Sequence, residues 1–173
     1  IHEACYCEGP IELFDFFHNL YPAGLHERGR YEFTPLPYAC VSDGDSMDDV
    51  LHALLQHIVS KAPELIRARD SDGRTPLHLA TLALKDNYSF LGAVRVLAGI
   101  CPEEIVGGEY ESSTMPCPLE IAVRVKHTEA VKIMVTLFLR QIQKLEVGKR
   151  TIKLEVFLNK YYEEKHVIEC LIE

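Results

Sequence analysis

The chain has 173 residues, 47% of them hydrophobic and 25% charged, with a formal net charge of −8. That length allows one domain with a real core and is short for two, while the acidic balance argues against a broad nucleic-acid surface. No run reaches the ~18 apolar residues of a membrane span, and the six cysteines have neither the density nor the spacing of a disulfide framework, so an intracellular, cytoplasmic location is expected.

The chain begins at Ile1 rather than Met and enters patterned sequence at once, so a fragment of a longer protein is expected and targeting signals fall outside the reading. "IHEAC" opens a short helix expected over 2–7. The apolar run Leu13 to Leu20 has helical i, i+3, i+4 spacing, as in Leu13, Phe14, Phe17 and Leu20, and predicts a helix over 11–21. Pro22 stops it, because a proline pushes the residue before it out of the α region. "TPLPYA" (Thr34 to Ala39) predicts a helix over 35–40, and Leu54 to Val59 lies in a second over 50–61, stopped by Pro63.

The best-formed stretch follows, "DSDGRTPLHLA" from Asp70 to Ala80. Asp72-Gly73 makes a tight turn, since glycine accepts the positive φ that other residues resist. Thr75 is the candidate cap and Pro76 suits the first helical position, where no N–H is needed. Helices are expected over 76–84 and 90–100, the latter stopped by Pro102, then over 118–125 and 128–142, with two more after Ile152 around "KLEVF".

Two markers repeat in step. Ile1, Leu36, Leu77, Leu119 and Leu154 hold one leucine-type column at intervals of 35, 41, 42 and 35 residues. Pro22, Pro63 and Pro102 precede Leu36, Leu77 and Leu119 by 14, 14 and 17 residues. Two unrelated features sharing a register define a unit: helix, turn, helix, proline stop, extended arm. Such a unit cannot bury its apolar face alone, so copies must stack. Residues beyond a regular period fall at Val41 to Asp49, Leu82 to Phe90 and Val106 to Met115, where surface loops tolerate length.

Around Thr75, Pro76, Leu77, His78 and Ala80 the chain resembles the ankyrin-repeat family, whose shared pattern is T-P-L-H-x-A. The other copies match in part. Pro37 and Glu120 stand in the histidine column, and the first copy keeps His2 without Thr-Pro. The resemblance covers Ile1 to about Leu139, with 149–173 expected as a degenerate repeat. It implies one all-α domain over 1–173, a solenoid of stacked helix-turn-helix units with short hairpin-like arms. It also implies a scaffold that binds another protein through arm tips and the concave helix face.

Catalytic and metal-binding patterns are missing from the sequence. Cys5-Tyr6-Cys7 with His2 and His18 has no second Cys-x-x-Cys to complete four zinc ligands. Cys5 and Cys40 share a column with Thr81 and Val123, a slot for small buried groups. The acidic run Asp43, Asp45, Asp48, Asp49 places Leu54 where a calcium loop needs glutamate. His78 has no positioned catalytic partner and is expected to hydrogen-bond near its helix N-terminus. No hydrolase or phosphate-loop motif occurs. The chain is therefore expected to be no enzyme, to need no cofactor or metal, and to bind neither nucleic acid nor a membrane interior. An alternative makes it the targeting or regulatory part of a larger enzyme, channel or ubiquitin ligase.

Candidate contact residues come from the register. Arg30, Tyr31 and Phe33 stand six, five and three residues before Leu36, and Asp72 and Arg74 stand five and three before Leu77. These arm-tip positions project ahead of each helix cap, and aromatics and arginine are common interface anchors, the alternative being that Phe33 folds back to pack between neighbouring arms.

Overall fold

A computed structural model describes residues 1–6, 10–29, 32–40, 48–85, 90–107, 115–149 and 157. Every regular element among them is helical: α1 (His2–Tyr6), α2 (Ile11–Leu20), α3 (Pro35–Cys40), α4 (Asp48–Lys61), α5 (Pro76–Ala83), α6 (Leu91–Ile100), α7 (Pro118–Arg124) and α8 (Thr128–Gln143). Residues 147–149 are helical as well, and of the helices expected after Ile152 only Phe157 is described, helical and buried, while 41–47, 86–89 and 108–114 of the inserted segments lie outside the described residues. No helix among the described residues is long and apolar enough to cross a membrane.

The proline stops act by one mechanism three times. Helices α2, α4 and α6 end at Leu20, Lys61 and Ile100, two residues short of a proline. The intervening residues Tyr21, Ala62 and Cys101 take φ/ψ of −148/80°, −143/76° and −130/68°. All three have left the α region, as a following proline ring demands. The chain does not then run straight into an arm. A short 3₁₀ turn starts on each proline, at Pro22–Leu25, Pro63–Arg67 and Pro102–Val106, and buries Leu25, Leu65 with Ile66, and Ile105.

Two rows of helices follow from the repeat. In one, α1 packs on α3, α3 on α5 and α5 on α7; in the other, α4 packs on α6 and α6 on α8. The columns read from sequence line the seam between the rows. Leu36, Leu77 and Leu119 are buried, as are Ala4, Ala39, Ala80 and Ala122. Alanine at these sites lets helix backbones approach, and leucine fills the space between them. The small-residue column is buried throughout, at Cys5, Cys40, Thr81 and Val123, with the Thr81 hydroxyl donating to Leu77 O at 2.7 Å.

Cross-links between polar groups tie successive units together. His57 Nε2 of α4 lies 2.8 Å from Asp15 Oδ1 of α2, with Lys61 Nζ at 3.8 Å from the same carboxylate oxygen. Arg67 spans the next junction, donating from Nε to Cys101 Sγ at 3.3 Å and pairing with Glu103, which accepts from Gln141 of α8.

Candidate partner-binding surface

Two of the arms share their backbone hydrogen bonds atom for atom. Asp70 N–H donates to Arg74 O at 3.0 Å and Gly73 N–H to Asp70 O at 3.1 Å. Seven and three residues before Leu36, Gly29 N–H donates to Phe33 O at 2.8 Å, and Glu32 N–H donates to Gly29 O at 3.2 Å. The register deduced from leucines and prolines therefore holds for backbone bonds that no side-chain pattern encodes.

The second arm is stiffened further. Asp70 Oδ1 accepts from the backbone N–H of Asp72 at 2.9 Å and of Arg74 at 2.7 Å, the self-bonding that makes Asp a turn former. Arg69 Nη1 donates to Gly73 O at 2.7 Å, and Arg28 Nη1 reaches from the first arm to Arg69 O at 2.9 Å. Arms thus brace one another, leaving side chains at the tip to face solvent. Asp72 does so with its side chain 55% exposed, and Arg74 is half-buried beside it, its Nε enclosed and its Nη2 2.8 Å from Asp72 Oδ2.

The turn position four residues before Leu77 and before Leu36 has a positive φ, +81° at Gly73 and +62° at Glu32. Nothing lies within 4 Å of a Cβ placed on Gly73, so a substitution there meets only backbone strain. Gly73→Ala is expected to cost about 1 kcal/mol. Glu32→Gly is expected to gain about 0.5 kcal/mol or more by relieving the same strain, net of the extra entropy glycine loses on folding. Urea denaturation of both variants checks this pair of opposite signs.

Phe33 has a double role. Its ring is half-buried edge-on to Tyr38 at 5.9 Å, Tyr38 meets the His2 ring at 5.1 Å, and Phe33 O lies 3.2 Å from His2 Nε2. It packs the first arm onto α1 and α3 and presents only part of its ring. Arg30 and Tyr31 lie outside the described residues.

At the helix starts, the histidine column is a capping column. His78 Nδ1 accepts from Thr75 N–H at 3.2 Å and lies 2.7 Å from the Thr75 hydroxyl. Accepting at Nδ1 puts the ring proton on Nε2. Burial pushes this imidazole down to about 4, reinforced by the Arg69 charge and opposed by Asp70, so it is neutral at physiological pH. In α7 the same bond is made by Glu120 Oε2, 3.0 Å from Cys117 N. Pro37 supplies no acceptor in α3, and the buried Thr34 hydroxyl has no hydrogen-bond partner. The sequence expectation put the cap on the Thr75 hydroxyl; that hydroxyl accepts from the His78 backbone N–H, and the imidazole accepts the Thr75 amide in return, the two halves of a capping box.

The described cysteines are packing groups. Cys5, Cys40, Cys101 and Cys117 are buried and none is disulfide-bonded. Burial pushes the Cys5 thiol up to about 12 and raises Cys40 and Cys101 as well, which keeps these thiols protonated at neutral pH. Among the described residues, no group of three or more His, Cys, Asp or Glu side chains is placed to hold a metal ion. Cys7 and the 41–47 stretch lie outside them.

Comparison with protein-family models, curated proteins and solved structures gave no match for this chain. The internal register must therefore carry the functional reading.

Proposed function

We propose that this chain is a protein-binding module, a solenoid of four to five ankyrin-type repeats that holds another protein and performs no chemistry of its own. The observation that carries the reading is the pair of equivalent arm hairpins at Gly29–Phe33 and Asp70–Arg74, linked by Arg28 to Arg69 O. Stiff, evenly spaced tips above rows of stacked helices form an extended surface that needs no deep pocket. Side chains pre-set by their own arm lose little entropy on binding, which favours affinity. Asp72 and Arg74 sit at such a tip, and Phe33 with Arg30 and Tyr31 belongs to the neighbouring one. With a net charge of −8, the module suits a partner displaying basic or mixed patches.

The test separates binding from folding. Asp72→Ala with Arg74→Ala removes both tip side chains but leaves Asp70 bonded to the two backbone amides, which alanine retains. The lost ion pair is at the surface, so stability is expected to change by less than about 1 kcal/mol. Partners captured by the unmodified chain and identified by mass spectrometry are then titrated against both forms. A loss of about tenfold or more in affinity is expected, the size of an interface anchor's contribution. Equal affinity places the binding surface elsewhere.

A further inference from the structure

Two arginines hold the same register beneath the two arms. Arg28 and Arg69 stand six residues after Pro22 and Pro63, and eight before Leu36 and Leu77. Each closes its own arm with the same bond, from Nη1 to the carbonyl of the positive-φ turn residue four positions on. Arg28 donates to Glu32 O at 3.2 Å, and Arg69 donates to Gly73 O at 2.7 Å. Each also reaches into the unit that follows. Arg28 Nη1 donates to Arg69 O at 2.9 Å, and Arg69 Nη2 lies 4.0 Å from Glu104 Oε2 on the 3₁₀ turn Pro102–Val106. The Glu104 side chain is 7% exposed, so that carboxylate is a fixed point of the stack.

Guanidinium chemistry makes this double attachment possible. Nη1 carries two hydrogens, so one nitrogen of Arg28 serves the carbonyl of its own turn and the carbonyl at the base of the next arm. A charged donor also bonds a carbonyl more strongly than a neutral one. Arg69 contributes its backbone oxygen to Arg28 and its side chain to Gly73. The residue that Arg28 holds is therefore the one that closes the second arm. A continuous path runs from the turn at Glu32, through both guanidinium groups, to the turn at Gly73. It uses neither tip side chain of the second arm, since Asp72 and Arg74 pair with each other.

We propose that Arg28 and Arg69 are positioning residues that couple the two arms, so that the turns at 29–33 and 70–74 stiffen and loosen together. The consequence for affinity rests on the partner-binding reading: a partner that orders one tip finds the other already ordered, and binds more tightly without touching either arginine.

Amide hydrogen exchange, measured on the chain alone, tests the coupling without any partner. Arg28→Ala removes a solvent-exposed side chain and leaves the backbone donors and acceptors of both arms in place. It is expected to speed exchange about tenfold at Gly29 and Glu32 in the first arm and at Asp70 and Gly73 in the second, with α4 and α6 unchanged. Arg69→Ala keeps the carbonyl that Arg28 holds but gives up the bond to Gly73 O, and is expected to speed the second arm by a similar factor. An unchanged second arm in either variant overturns the proposal. So does faster exchange throughout α4 and α6, which would mean a general loss of stability. Full protection in Arg28→Lys also overturns it, because lysine keeps the charge without the planar fork. Partners captured by the natural chain are expected to bind Arg28→Ala about fivefold more weakly, although Asp72 and Arg74 are intact. Equal affinity for Arg28→Ala, where Asp72→Ala with Arg74→Ala does lose affinity, overturns the positioning role and leaves the binding surface standing. Equal affinity for both removes that surface, and the exchange rates still decide the coupling.

Discussion

Leu77→Ala is expected to destabilise the chain by about 3 kcal/mol, while Leu82→Ala on the same helix costs under about 1 kcal/mol. Leu77 is 2% exposed on α5, which packs on α3, α6 and α7. Removing its branched end leaves a cavity that three neighbouring helices cannot all relax to fill, so a cavity term adds to the lost transfer energy. Leu82 is 37% exposed and loses only part of a contact with solvent on its other side. The position within the stack adds a second expectation. Stability in a stacked array is a sum of unit and junction terms, so damage at the centre weakens coupling between the two ends. Urea denaturation followed by far-ultraviolet circular dichroism should therefore show a lower midpoint and a broader transition for Leu77→Ala, and an unbroadened, slightly shifted one for Leu82→Ala. A cost below about 1 kcal/mol at Leu77 would mean that the leucine column does not hold the seam.

The elements legible in the sequence were those marked by local chemistry. Proline with its excluded α region fixed where α2, α4 and α6 stop, and α1 to α8 fall within two residues of their expected spans, whereas the helical residues 147–149 lie where no helix was expected. Less legible were features that depend on what lies opposite. The run Leu13, Phe14, Phe17, Leu20 has the period of a helix, but period alone does not say which side is covered. Phe14 is buried, whereas Leu13, Phe17 and Leu20 face outward. The 3₁₀ turns on Pro22, Pro63 and Pro102 were hidden for a related reason, since a proline that ends one helix also suits the first position of the next turn. In the arms, Asp72-Gly73 announces a positive-φ turn, but Glu32 takes up the same conformation under the bonds of its hairpin rather than by its own preference. Phe33 looked like a projecting anchor from its register, yet Tyr38 and His2 draw its ring partly into the stack.

Acid should weaken this fold first through His78. Its imidazole is 5% exposed and titrates near about 4 in the folded chain, against an ordinary value of 6.5. The unfolded chain therefore binds the proton first as pH falls. Stability conferred by the neutral ring is complete above 6.5, is lost progressively down to about 4, and is gone below that, where both states are protonated. At about 1.4 kcal/mol per pH unit of difference, the full loss is about 3 kcal/mol. The cause is structural: a proton on Nδ1 would destroy the acceptor that holds the Thr75 amide, in a site where Arg69 already disfavours positive charge. Asp15 acts in a different window. Its carboxyl is held below the usual range, first by the His57 hydrogen bond, so its contribution is lost only as pH falls below 3.8. Gln at position 78 can accept the Thr75 amide through its side-chain oxygen, as Glu120 accepts the Cys117 amide in α7, and it does not titrate. His78→Gln is thus expected to lie within about 1 kcal/mol of the natural chain at pH 7 and to surpass it near pH 4. The check is the difference between the two unfolding free energies, measured by urea denaturation across that interval. A constant difference would mean that His78 keeps its neutral form no better folded than unfolded, and that the cap does not depend on the bare nitrogen.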